Sequence, residues 1–61
     1  MTTAVEIKDW ADKNTTFIYA ADMTPLGYIN CECATEWAAY RADGSFVDWF
    51  GSKRAAKAAL Q

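Results

Sequence analysis

Tyr40-Arg41-Ala42-Asp43-Gly44-Ser45-Phe46-Val47-Asp48-Trp49-Phe50 decides how the chain is read. Asp43-Gly44 stands between runs of aromatic and branched residues, the strongest short-range hairpin signal, because both central positions of the tight turn need positive φ. A two-residue turn there pairs Tyr40 with Val47 and Ala38 with Trp49 on one side of the ribbon. Tyr19-Ala20-Ala21-Asp22-Met23-Thr24-Pro25-Leu26-Gly27-Tyr28-Ile29 repeats the pattern: Tyr, Ala and Asp coincide, and Thr/Ser, Leu/Val, Tyr/Trp and Ile/Phe are close substitutions. Two related hairpins follow from such a repeat. In the first copy the turn falls on Asp22-Met23. Met suits positive φ poorly and Pro25 fits only where no ladder donor is needed, so a longer or looser turn is expected. The analogous register pairs Tyr19 with Leu26 and Phe17 with Tyr28.

These pairings predict a core face of Phe17, Tyr19, Leu26, Tyr28, Ala38, Tyr40, Val47 and Trp49. The opposite side carries Ile18, Ile29, Trp37, Phe46 and Phe50, interrupted by Arg41 and Asp48. That side is too apolar for plain solvent contact and expects a cover, either an N-terminal helix or a partner. Trp37, Arg41, Phe46, Asp48 and Phe50 are therefore the candidate protein-binding residues.

Outward from the hairpins, Thr3-Ala4-Val5-Glu6 has the capping-box pattern of a helix start. Ala4, Ile7, Trp10 and Ala11 share one face at helical spacing, and Asp9 and Lys13 stand at i, i+4. The pattern predicts a helix over Ala4 to Lys13, closed by Asn14; a short strand is the competing reading, since Val5 and Ile7 also alternate. Thr35 to Ala42 is helix-prone by composition, but the repeat and the Asp-Gly turn agree on strand. Gly51-Ser52 breaks the sheet pattern, with Ser52 as N-cap. Ala55, Ala56, Ala59 and Leu60 then form one helix face, with Lys53, Arg54 and Lys57 on the other. The expected fold is α+β: a small antiparallel sheet of two related hairpins, with an N-terminal and a C-terminal helix packed on it, in a single domain over residues 1–61.

Sixty-one residues leave no room for a catalytic domain beside a binding one, and 52% hydrophobic residues with three each of Trp, Tyr and Phe imply a folded chain. No apolar run reaches the roughly 18 residues of a membrane span, and the first residues lack a signal peptide's basic and apolar regions; a cytoplasmic location is expected. There is no His, so a Ser or Cys nucleophile lacks its usual base and a metal site lacks imidazole ligands. No enzyme, cofactor or metal is expected. Glu32 and Glu36 could pair for acid-base work, but nothing marks a pocket. Cys31 and Cys33, as i, i+2 neighbours on an extended segment, are poorly placed to bridge and are expected as free, buried thiols.

The net charge is −2, which disfavours a general polyanion binder. It is unevenly placed: −4 over residues 1–36 and +2 over residues 37–61. Trp37 to Leu60, aromatic strands followed by a Ser-capped, Ala-rich helix, resembles the strand-strand-helix close of AP2 domains and of the arm-binding domains of phage-type integrases. The resemblance spans about 24 residues. Those modules read DNA with a basic sheet face, whereas Arg41 is the only basic strand residue of that segment here; nucleic acid is thus the alternative partner, through Lys53, Arg54 and Lys57. The first expectation is a protein-binding module, monomer or homodimer, whose size suits an inhibitor or regulator of a larger complex such as phages and mobile elements encode.

Overall fold

The protein is described by a computed structural model covering residues 4–61. Strands β1 (Val5–Lys8), β2 (Thr15–Tyr19), β3 (Pro25–Cys33), β4 (Glu36–Arg41) and β5 (Phe46–Phe50) form one antiparallel sheet in chain order, and one short helix, α1 (Lys53–Ala59), follows. The architecture is mostly β.

The expected α+β arrangement with two helices is therefore corrected. Thr3, the proposed cap, lies outside the described residues, but Val5–Lys8 is a strand paired with β2 through Val5 and Tyr19, Glu6 and Ile18, Ile7 and Phe17, and Lys8 and Thr16. Two forces override the helical periodicity. So short a helix is marginal without tertiary support, whereas strand pairing covers the edge of β2. Further on, Asp9 accepts from the Ala11 N–H at 2.9 Å and Asp12 from the Asn14 N–H at 3.0 Å. Such side-chain turns compete directly with helix.

The repeat is reproduced in backbone detail, although not with a two-residue turn. In the β4–β5 hairpin the Arg41 N–H donates to Ser45 O and the Gly44 N–H to Arg41 O, both at 2.8 Å; in β2–β3 the Ala20 N–H donates to Thr24 O and the Met23 N–H to Ala20 O, also at 2.8 Å. Each loop thus has three residues and ends in a left-handed position, held by Gly44 (φ 91°) and by Met23 (φ 70°). Asp43 accepts from the Ser45 N–H at 2.9 Å and Asp22 from the Thr24 N–H at 3.0 Å. These bonds favour the longer turn in both copies.

Each three-residue loop offsets the register by one, and a bulge restores it, between Ile18 and Tyr19 in one hairpin and between Ala39 and Tyr40 in the other. Phe17 faces Tyr28 and Ala38 faces Trp49 as the sequence predicts, but Tyr19 faces Pro25 and Tyr40 faces Phe46. Leu26 and Val47 are the extra residues. The bulges turn both toward the helix side, where they pack against the core.

That core is Ile18, Ile29, Ala39, Ala56, Leu60 and Ala4, with Trp37 and Phe50 half-buried against it. The sequence assigned the core to the other face. The reversal has a steric cause: Gly27 and Ala39 leave a trough between the strands into which the small helix settles, while the aromatic side is filled by rings. Gly27 is required there. A Cβ on it would lie 3.1 Å from Leu60 Cδ2 of the helix segment and would overlap Tyr40 O. Ser52 caps α1, accepting from the Ala55 N–H at 3.2 Å. Lys53 and Lys57 clasp Glu6 of β1 at 2.6 and 2.7 Å, fastening the helix across the sheet to its first strand.

Candidate functional site

With one helix and no second, the side of the sheet away from α1 has no cover among the described residues. Strand alternation and the cross-strand registers line it up in two rows. Ile7, Phe17, Tyr28, Tyr40 and Phe46 form the first; Thr15, Asn30, Ala38 and Trp49 form the second. The rings are continuous from β2 to β5. Centroids lie 6.1 Å apart for Phe17 and Tyr28, 4.9 Å for Tyr28 and Tyr40, 5.5 Å for Tyr40 and Phe46, and 5.9 Å for Phe46 and Trp49.

The rings pack against one another in two ways. Tyr28 and Tyr40 are stacked with 14° between their planes, so each turns its face to its neighbour across the strands. The other contacts are edge-to-face at 61° to 65°.

The rows are also free of charge. The polar groups among them are the tyrosine hydroxyls and the Thr15 and Asn30 side chains, where Asn30 donates to Thr15 Oγ1 at 2.9 Å and Thr15 donates to Asp12 Oδ2 at 2.9 Å. Carboxylates perturbed in the protein lie elsewhere. The Lys53 and Lys57 ammonium groups hold Glu6 below the usual carboxylate range. Thr24 and Ser45, through hydroxyl and backbone N–H, do the same for Asp22 and Asp43 in the two turns.

The five residues grouped by sequence as a protein-binding patch are divided by the fold. Trp37 and Phe50 lie against the helix-side core. Arg41 is exposed and opposite Gly27, and Asp48 is exposed at the β5 bulge, its Oδ1 accepting from the Trp49 N–H at 2.7 Å. Only Phe46, 49% exposed, belongs to the open face, beside Trp49 at 51%. The missed members, Tyr28, Tyr40 and Trp49, were visible as a ladder in the sequence but assigned to the core. Trp10, read as a helix-face residue, stands 97% exposed in the β1–β2 loop.

Of the basic residues Lys53, Arg54 and Lys57, two are engaged by Glu6. Cys31 is half-buried and Cys33 exposed, both as free thiols; a bulge between them displaces the expected buried pair. Among the described residues no group of three or more metal-ligating side chains converges, and no helix is long and apolar enough to cross a membrane. Comparison with family models, curated proteins and solved structures finds no match. The class defined by fold and surface is a small antiparallel meander with one face under a helix and one aromatic face open.

Proposed function

We propose that the chain is a non-catalytic protein-binding module, a regulator or inhibitor within a larger assembly, and that its contact surface is the open aromatic face. The observation that carries the reading is the uncharged, continuous ladder from Phe17 to Trp49 with no cover. Interface centres are depleted in charge and enriched in Tyr, Trp and Phe, and single aromatic anchors there carry much of the binding energy. A nucleic-acid role through α1 is weaker, since a phosphate would compete with Glu6 for Lys53 and Lys57 and find only Arg54 outside that clasp.

A photo-crosslinking side chain placed at position 46 or 49, and for comparison at 54 or 58 on the helix, tests the surface in cells. Protein adducts from 46 and 49 but not from the helix positions are expected. Adducts from the helix positions alone, or to nucleic acid, reject it.

A further inference from the structure

The aromatic face of one copy is built to be covered by the same face of another: we infer that the protein forms a face-to-face homodimer, a β-sandwich whose inner layer is the Phe17–Trp49 ladder. The inference rests on the reading of this face as a contact surface and names its occupant.

Three observations point to a second copy. The first is the thinness of the monomer's core. Among the described residues Ile18 and Ile29 are the only large side chains fully buried, the rest of the core being small residues and Leu60. All nine aromatic residues keep part of their surface in water. Chains of this size stand near the limit for folding alone and commonly rely on a disulfide, a metal or oligomerisation; here both cysteines are free. A cover needed for the stability of the chain itself is met most directly by another copy, present at the same concentration.

Charge is the second. Each copy carries −2, so self-association through a charged face would bring like charges together. The ladder has none, and the acidic residues of the chain fall outside its rows. Two copies meet there without repulsion at the centre, while their acidic margins keep other surfaces apart.

Size and shape are the third. The molecule measures 30 × 25 × 19 Å, so its broad side projects roughly 700 Å², near the ~800 Å² per partner of a standard interface. Sheets pack face to face about 10 Å apart with interdigitating side chains, and the half-exposed rings of Phe46 and Trp49 are available to such a layer. Pairing through the β5 edge is blunted instead. A bulge at Val47 interrupts the strand, and Asp48 occupies the Trp49 N–H.

The test is sedimentation of the full chain under reducing conditions over a concentration series, with Phe46→Lys/Trp49→Lys, Phe46→Glu/Trp49→Glu and Arg54→Glu compared. Wild type and Arg54→Glu are expected to dimerise. The two double variants, altered at half-exposed positions, are expected to keep their circular dichroism and to weaken self-association roughly 30-fold or more, and their mixture to recover a dimer. Should the double variants unfold, two wild-type measurements decide: a melting temperature that rises with concentration, and self-adducts from a crosslinker at 46 or 49 rather than at 54 or 58. A wild type that stays monomeric to roughly millimolar concentration, or a dimer indifferent to the double variants, overturns the inference. The contact-surface reading then survives only if crosslinkers at 46 and 49 reach a different protein.

Discussion

The two faces of the sheet are made from alternate residues of the same strands, yet one is a finished interior and the other is not. Under α1 the fully buried side chains are aliphatic and mostly small, with Trp37 and Phe50 packed half-buried beside them, and the largest of the buried ones, Ile18 and Ile29, are wholly out of water. On the other side aromatic rings predominate, but Phe46 and Trp49 remain half exposed. Burial, rather than hydrophobic content, separates the two. The helix goes where small residues admit it, and the bulkier surface is left open.

The sharpest way to break this comparison is to spoil the trough that seats the helix. Gly27→Ala forces a Cβ against Tyr40 O and toward Leu60, in a backbone conformation at φ 154° that L side chains rarely adopt. We expect loss of the cooperative thermal transition, read by circular dichroism; a folded Gly27→Ala protein would mean that α1 does not sit as described.

Next in size is the contrast between the faces themselves. Ile29→Ala removes a fully buried side chain and is expected to cost about 2–5 kcal/mol in denaturant unfolding. Trp49→Ala, measured where the protein is dilute enough to be monomeric, is expected to cost about 1 kcal/mol, since half of that side chain is already in water. A Trp49→Ala loss equal to that of Ile29→Ala would show the aromatic side to be the true interior.

A smaller effect distinguishes the two hairpins. They share loop length, Asp carboxylate bond and bulge, but the left-handed position is Gly44 in one and Met23 in the other. A non-glycine residue there is disfavoured by roughly 1–2 kcal/mol, offset in part by glycine's greater chain entropy. Met23→Gly should therefore raise stability by about 0.5–1 kcal/mol, seen as a higher melting temperature, and Gly44→Met should lower it similarly.

The smallest expected effect concerns the clasp between β1 and α1. Glu6 has a carboxyl pKa below its ordinary 4.5, first through the hydrogen bonds from Lys53 and Lys57. Because the folded-state value is the lower one, its stabilisation is complete above the ordinary value and is lost as pH falls through the folded-state pKa. Glu6→Gln should cost about 0.5–1 kcal/mol at neutral pH, as partly exposed ion pairs do. That difference should vanish in acid, in stability curves taken from pH 7 down to roughly 2. A constant difference across the range would place its cause elsewhere.

The local sequence determined much of this protein. Asp43-Gly44 and Asp22-Met23 mark the turns because their carboxylates bind the N–H two residues on, and the repeat pairs Phe17 with Tyr28 and Ala38 with Trp49. Gly51-Ser52 starts α1 because the Ser hydroxyl satisfies a first-turn N–H. Each of these signals acts over a few residues. What tertiary structure decided acts at longer range. Val5 and Ile7 alternate as a strand while Ile7 and Trp10 repeat as a helix, and pairing with β2, together with Lys53 and Lys57 on Glu6, resolved the choice. The one-residue offset at each turn carried Phe46 to the open face and Leu26 and Val47 to the core, an exchange that alternation cannot foresee because a single extra residue reverses side-chain directions until a bulge turns them back. Which face the helix would cover depended on Gly27 and Ala39 lying diagonally across neighbouring strands, a juxtaposition that exists only after the sheet has formed.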